Sequence, residues 1–154
     1  MFTRFIFADL IKMQLHKLHF FMAIQDLKYH DLTEKIIGCA MKVHRYFGLG
    51  FPEIVYKWAL IIELEKIGLK LKQEIERDII YDDCLIYKRR LDLIVEDVVL
   101  VELKAIKEVD NGDYNQILNY LRVFKLEVGL LINFGAPSLQ FKRLINSLNN
   151  PRNQ

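Results

Sequence analysis

Two carboxylates and a lysine lie close together in one apolar stretch of this sequence. Asp92 is followed, after nine intervening residues, by Glu102-Leu103-Lys104, and apolar residues fill most positions between them. This alternation predicts two β-strands, with Glu102 and Lys104 on one face and Leu103 on the other. Charges in an apolar strand are costly unless they are paired or hold a metal ion. The pattern therefore indicates either a magnesium-dependent phosphodiesterase site or a buried ion pair.

Length and composition indicate one domain with a terminal extension. The chain has 154 residues, of which 52% are hydrophobic and 27% are charged, which is typical of a folded globular protein. A formal net charge of +2 does not indicate a nucleic-acid-binding protein, so a polyanion would have to be attracted by a local patch. Five basic residues could form one, although a solvated strand edge explains them equally well: Lys70, Lys72, Lys88, Arg89 and Arg90.

The two cysteines and the N-terminal region exclude several classes of protein. Cys39 and Cys84 are isolated, so we expect no structural zinc site and a reducing, cytoplasmic setting. No apolar run in the first 24 residues approaches the roughly 18 residues of a membrane span, and no signal-peptide cleavage site follows. Met22 offers an alternative start. We interpret residues 1–30 as an extension with an amphipathic helix that need not belong to the core, and residues 31–150 as the domain.

Hydrophobic periodicity and turn residues predict the element order α-α-β-β-β-α-β-α. The segments are helices over residues 31–47, 52–67, 113–125 and 138–148, and strands over 69–81, 85–95, 98–105 and 128–134. The last two strands flank a helix and should be parallel, whereas the earlier strands should be antiparallel. This predicts an α/β or α+β fold, with a mixed sheet flanked by helices and the candidate site at one edge of the sheet. Trp58, Phe124 and Phe134 are expected in the core.

The loop between the second and third strands decides whether Asp92 and Glu102 can bind the same metal ion. A two-residue loop of Glu96 and Asp97 would place the two carboxylates on opposite faces of the sheet. A three-residue loop that includes Val98, or a bulge, would place Asp92 opposite or near Glu102. The chain has no Asn-Gly or Asp-Gly pair here, so the tight two-residue turn is not favoured.

Five short strings occur in order along the chain: Gly50-Phe-Pro-Glu53-Ile-Val-Tyr56, Arg90-Leu-Asp92-Leu-Ile-Val, Val101-Glu-Leu-Lys-Ala105, Gln116-Ile-Leu-Asn-Tyr120-Leu and Gly129-Leu-Leu-Ile-Asn-Phe-Gly-Ala136. Together they resemble the GxxExxY family of the PD-(D/E)XK nuclease superfamily. The resemblance covers residues 31–148. It implies a restriction-endonuclease-like α-β-β-β-α-β core with an extra N-terminal helix and a C-terminal helix. Two positions depart from the pattern, since Leu91 replaces a proline and Asp113 replaces a frequent histidine.

The resemblance implies a metal-dependent nuclease that acts on DNA more than on RNA. Asp92 and Glu102 would bind Mg²⁺ or Mn²⁺, and Lys104 would orient a water molecule or stabilise negative charge. Glu53 and Gln116 complete the catalytic candidates. The attacking water would leave a 5′ phosphate on the product. The rival hypothesis is a noncatalytic module that binds nucleic acid or protein and retains the fold.

Three further residues are candidates for substrate binding: Tyr56, Tyr120 and Arg90. Glu53 and Tyr56 share a helix face, as do Gln116 and Tyr120. Structural alternatives stand beside these roles, because a first-turn glutamate stabilises a helix dipole and a tyrosine can be an ordinary core aromatic. The second pair could equally belong to an amphipathic helix. A homodimer would suit the cutting of duplex DNA, although no sequence feature requires one.

Overall fold

The computed structural model describes residues 11–20 and 28–146. The chain divides into two units, Met1–His30 and Asp31–Gln154. In the first unit, residues 11–20 are helical and residues 28–30 form a turn that leads into a helix, while residues 1–10 and 21–27 of the predicted extension lie outside the described residues. Within the described ranges, no helix is both long enough and apolar enough to cross a membrane.

Between residues 30 and 146, the structure has three helices and five strands. In chain order they are α1 His30–Phe47, α2 Glu53–Lys66, β1 Leu71–Tyr81, β2 Cys84–Val95, β3 Val99–Lys104, α3 Asn111–Phe124, β4 Val128–Asn133 and β5 Gln140–Ile145. The strands form one sheet in the order β1-β2-β3-β4-β5. Strands β3 and β4 are parallel and all other neighbours are antiparallel. The mixed α/β class, the extra N-terminal helix and the predicted parallel pair are confirmed.

The central strand of the sheet is β3, which carries two of the candidate residues. The predicted location of the site at one edge of the sheet is therefore wrong. The predicted strand over residues 128–134 already covers the far side of β3, and β5 adds a further strand beyond it. At Glu102 and Lys104 the paired neighbour is β4, because β2 pairs with β3 only as far as Val101.

The chain after β4 forms a strand, so the predicted C-terminal helix over residues 138–148 is wrong. Gln140–Ile145 is β5 and pairs antiparallel with β4; residues 147 and 148 lie outside the described residues. All six residues of β4 are buried, and a buried strand needs a partner for the backbone groups on its open edge. That demand outweighs the local helix preference of the segment.

Helix α3 packs on one face of the sheet through an apolar stripe. Ile117 and Leu121 form a cluster with Leu100 of β3 and Leu131 of β4, and all four are fully buried or nearly so. A capping box starts the helix, in which the Asp110 side chain accepts from the backbone of residue 113 and the reverse bond is also made. The helix start is thereby fixed, which sets where its first polar side chains lie.

Helix α2 is apolar on nearly every side, and this explains one wrong prediction. Phe124 is 9% exposed and Phe134 is fully buried, as expected, but Trp58 is 52% exposed. Tyr56, two residues before Trp58, is fully buried and stacks on Phe134 with ring centroids 4.6 Å apart. A helix without a clear polar face gives no sequence signal for the side that is buried.

The loop between β2 and β3 has three residues, as the sequence favoured. Val95 pairs with Val99 and Leu93 with Val101, so the loop consists of Glu96, Asp97 and Val98. Both acidic residues have left-handed backbone conformations, with φ of 52° and 61°. Continued by one residue, this register sets Asp92 opposite Glu102.

Close packing of α3 on β4 gives a test of the fold. A Cβ atom at Gly129 would lie 2.7 Å from Cγ2 of Ile117 and 3.3 Å from Leu121. We expect Gly129→Ala to lower the free energy of unfolding by about 1–3 kcal/mol through overpacking. The matched control is Gly38→Ala in α1, where nothing lies within 4 Å and removal of a helical glycine should add about 0.5–1 kcal/mol. Urea unfolding measures both, and equal effects would contradict the packing.

Candidate active site

Glu102 and Lys104 lie two residues apart at the C-terminal end of β3 and share a face. Leu100, two residues earlier on that face, packs on α3, so the pair points to the α3 side of the sheet. The residue Glu102 is only 5% exposed, and Lys104 Nζ lies 3.4 Å from its Oε1. The two charges predicted from the sequence are therefore both largely buried and in contact.

Helix α3 supplies further polar partners to Lys104. Its Nζ donates to Oε1 of Gln116 at 3.2 Å and lies 3.5 Å from Oδ1 of Asp113. Gln116 in turn donates through Nε2 to the Tyr120 hydroxyl at 2.7 Å. The predicted pair on α3 thus joins the β3 lysine in one hydrogen-bonded chain, and Asp113, which replaces the frequent histidine, is a counter-ion for that lysine.

Asp92 lies where β2 departs from regular alternation. Leu91 and Ile94 both pack on the α3 cluster although residues three positions apart on a regular strand lie on opposite faces, and Glu74, opposite Asp92, has a φ of 52°. The Asp92 carboxylate is half-exposed and accepts a hydrogen bond from Lys57 Nζ at 3.2 Å. Its position is therefore set by a lysine of α2 as well as by the strand register.

Three carboxylates lie within electrostatic range of one another. Burial, with repulsion from Asp92 and Glu53, raises the pKa of Glu102 to about 7 in spite of attraction by Lys104. Partial burial and repulsion from Asp92 also raise the pKa of Glu53. Burial lowers the pKa of Lys104, but Glu102, Asp113 and Glu53 outweigh it and hold that pKa above its usual value. The site therefore combines crowded negative charge with a protonated lysine.

Carboxylate oxygens are the donors that hard cations such as Mg²⁺ and Mn²⁺ prefer. Among the described residues, Glu53, Asp92 and Glu102 do not bring three oxygens within 4.8 Å of one another. Lys57 contacts Asp92 and Lys104 contacts Glu102, so two ammonium groups offset only part of the negative charge of the three carboxylates. The chemistry of these oxygen donors fits a divalent cation.

Two of the substrate-binding candidates lie apart from this cluster. Tyr56 is fully buried; its hydroxyl donates to the Gly48 carbonyl at 2.8 Å and accepts from the Phe51 N–H at 3.3 Å. This is the structural alternative, because a core tyrosine with both partners filled by backbone cannot reach a substrate. Arg90 is exposed and forms an ion pair of 2.6 Å with Glu74. Tyr120, by contrast, joins the site through Gln116.

Sequence reasoning missed two residues that shape the site. Lys57 is only 6% exposed, but on an apolar helix it resembles an ordinary surface lysine, and its partner Asp92 is distant in sequence. Asn133 is fully buried and holds the segment after Lys104, accepting from Ile106 N at 3.0 Å and donating to Ile106 O at 2.8 Å. A polar residue ending an otherwise apolar strand was the one available signal for Asn133.

Comparison with known proteins gives one family. A model of the PD-(D/E)XK nuclease superfamily matches residues 30–144. Among solved structures, the crystal structure of SSO0001 is similar, with a TM-score of 0.48 and 19% sequence identity over 60% of this chain. The alignment spans 48% of that protein's length, so the chain matches about half of it. No curated protein sequence matches the chain.

Burial of Glu102 gives a pH-dependent test on the metal-free protein. Because its pKa is about 7 in the folded state against 4.5 for an ordinary glutamate, this group makes stability fall as pH rises from about 4.5 to 7. Glu102→Gln removes that penalty. Near pH 8 we expect the variant to exceed the parent in free energy of unfolding by up to about 3 kcal/mol and therefore to melt at a higher temperature, with no gain near pH 4.5. A lower melting temperature near pH 8, measured in EDTA, would instead identify a stabilising ion pair.

Proposed function

This chain belongs to the PD-(D/E)XK nuclease superfamily, and on that premise we propose that it is a metal-dependent phosphodiesterase that hydrolyses nucleic acid. The observation that supports this most is the cluster at the end of β3. There a carboxylate, Glu102, is buried at 5% exposure on the central strand beside a partly buried lysine and within range of two more carboxylates. A fold that only needed stability would gain by replacing such charges with apolar side chains.

Each residue of the cluster has a chemical part in the proposed reaction. Asp92 and Glu102 would bind Mg²⁺ or Mn²⁺, with Glu53 near the ion on the side of α2. When bound, the ion supplies charge neutralisation for the phosphate and a more acidic water. Lys104 is held by Gln116 at 3.2 Å and would donate to a phosphate oxygen on which negative charge develops. Gln116 can both donate and accept, which suits it to orient the lysine and the substrate together.

Finer assignments follow from the same residues. We propose DNA as the substrate before RNA, and membership of the GxxExxY branch. The branch signature has a physical basis here, because Gly50 has a φ of 95° and the Tyr56 hydroxyl bridges Gly48 and Phe51. This bridged turn leads directly into Glu53, the first residue of α2. The tyrosine would therefore position the glutamate rather than contact the substrate.

Two contextual assignments complete the proposal. Cys39 is buried, Cys84 is exposed, and both are free thiols, which suits a reducing cytoplasm. Cutting both strands of a duplex would call for two copies of the chain. Light scattering at several concentrations measures the number of copies.

Cleavage tests the proposed function directly. We expect Asp92→Asn, Glu102→Gln and Lys104→Ala each to lower the rate of DNA cleavage by at least about a hundredfold, since each removes a group that acts on the reacting phosphate. Single- and double-stranded substrates are assayed with Mg²⁺, with Mn²⁺ and with EDTA. Glu65→Gln, which changes an exposed carboxylate on α2, is the matched control and should cleave as the parent does.

Metal binding separates this proposal from the rival binding module. Calorimetry should show that Mn²⁺ binds the parent and binds Glu102→Gln at least about tenfold more weakly. A parent that binds no divalent ion and cleaves neither substrate, while retaining nucleic acid, would be the noncatalytic module. Unchanged cleavage by Glu102→Gln would also contradict the proposal.

Lys57 gives a further prediction, because its ammonium group is bonded to the Asp92 carboxylate that would bind the metal ion. Lys57→Gln leaves the charge of Asp92 unbalanced, so we expect the metal-free protein to lose about 1–3 kcal/mol of stability. The same change should strengthen Mn²⁺ binding several-fold, since the cation no longer competes with an ammonium group. Lys66→Gln, on the same helix but paired with Glu63 at 2.8 Å, is the control. Equal Mn²⁺ affinity in Lys57→Gln and the parent would show that Lys57 does not compete.

A further inference from the structure

The β1–β2 hairpin extends beyond the strand that should support it. Strand β3 pairs with β2 only at residues 93–95, whereas β1 and β2 continue to pair from Leu71↔Val95 to Tyr81↔Cys84. Residues 74–91 therefore form a two-stranded ribbon, which we call the arm. We propose that one face of the arm binds a single strand of nucleic acid and leads it to the candidate active site. This inference rests on the proposed function and names its substrate-binding surface.

Charges on the arm are separated between its two faces. Directly opposed residues of an antiparallel pair lie on the same face. On one face Glu76 is opposite Arg90 and Asp78 is opposite Lys88, and Lys88 Nζ lies 3.9 Å from Asp78. Acids and bases alternate across this face, so it is electrically balanced and offers little to a polyanion.

The other face carries positive charge without acids. It begins with the pair Ile75↔Leu91, whose side chains pack on the α3 cluster, and continues beyond it with the opposed pairs Arg77↔Arg89 and Ile79↔Tyr87. Two like charges directly opposite each other destabilise a sheet, and among the described residues neither guanidinium forms an ion pair with a carboxylate. Two opposed arginines without a carboxylate partner are suited to bind an external anion. The successive phosphates of a nucleic acid are anions of this kind.

Aromatic rings hold both arginines in place. The Arg77 guanidinium lies over the Phe124 ring at 5.9 Å, and the Arg89 guanidinium lies over the rings of Tyr87 at 5.2 Å and Tyr120 at 5.4 Å. Stacking of this kind fixes the plane of a guanidinium and leaves its N–H groups free to donate to phosphate. The arginines are thus ordered before any substrate binds.

Contacts connect this face to the candidate active site. The Tyr120 ring touches Arg89, its hydroxyl accepts from Gln116, and Gln116 accepts from Lys104. A continuous series of contacts therefore runs from Lys104 along α3 to Arg89 on the arm. A nucleic-acid strand with its reacting phosphate at Lys104 would place neighbouring phosphates near Arg89 and then Arg77.

An unpaired strand fits this face better than a duplex does. Tyr87 is 57% exposed beside Arg89, and an exposed aromatic next to cations is the common platform on which unpaired bases stack. Bases in a duplex are already stacked on one another and present only their edges. The face thus combines the two elements of single-strand binding, charge and an open ring.

Binding to a cleavage-deficient background tests the arm without relying on catalysis. In Glu102→Gln, we expect Arg77→Gln or Arg89→Gln to weaken binding of a labelled single-stranded DNA about fivefold to tenfold. Each should reduce the slope of log Kd against log salt concentration by about 0.7. Lys88→Gln removes the same charge from the balanced face and should change Kd by no more than about twofold. Arg77→Gln serves as the second variant if Arg89→Gln lowers the melting temperature.

Several outcomes would overturn the arm proposal. Equal weakening by Lys88→Gln would show that only total charge matters, and equal Kd for duplex and single strand would refute the single-strand assignment. In the cleavage-competent protein, Arg89→Gln should raise KM for the oligonucleotide by a larger factor than it lowers kcat, whereas Lys88→Gln should leave KM, kcat and the hydrolysis of bis(p-nitrophenyl) phosphate unaltered. A parent that cleaves nothing but shows the binding differences would refute the nuclease proposal while supporting the arm.

Discussion

A negative charge buried on the central strand is the constraint on which the rest of this structure depends. Glu102 is 5% exposed, and an unpaired carboxylate in such a position costs several kcal/mol. Lys104 lies 3.4 Å away, but Asp92 and Glu53 add repulsion, and the pKa of Glu102 stays at about 7. The local lysine therefore does not fully compensate the cluster, and the remaining excess of negative charge is what a divalent cation would stabilise. The buried Glu102 carboxylate therefore lowers the free energy of unfolding, as is common for residues at functional sites.

Helix α3 has two tasks that would ordinarily fall to different elements. Its apolar stripe covers the sheet through Ile117 and Leu121, while its other residues hold the cation of the site. Asp113 closes the capping box and also lies 3.5 Å from Lys104, so the start of the helix and the position of the lysine are set by one side chain. A histidine at that position would bring no fixed negative charge to Lys104. The aspartate thus makes the lysine more firmly cationic in this chain.

The sequence predicted much of this arrangement because most of it is local. The three-residue loop followed from the face requirement on Asp92 and Glu102, and the positions of Gln116 and Tyr120 followed from helical spacing. Strand β5 was missed because it forms by hydrogen bonding to the open edge of β4. The amino-acid pattern of residues 138–148 does not show that this edge is open. Lys57 was overlooked and Trp58 was wrongly placed in the core for one reason, since α2 is apolar on nearly all sides and only tertiary packing determines which side is buried. The assigned chemistry of the site remains a prediction for the experiments above.

The arm shows why charge must be read by face rather than by composition. Net charge along the chain is small, and along the arm acids and bases occur in similar numbers, so composition predicts no attraction to a polyanion. Strand pairing sorts these charges, placing Glu76 and Asp78 against bases on one face and Arg77 against Arg89 on the other. The second face is the one that continues through Tyr120 and Gln116 to Lys104. Since charges on the far face are mutually compensated and short-ranged, a strand of nucleic acid near Lys104 would meet the field of the two arginines first. In the proposed binding mode, the register that builds the hairpin thus also determines which face of the arm meets the polyanion.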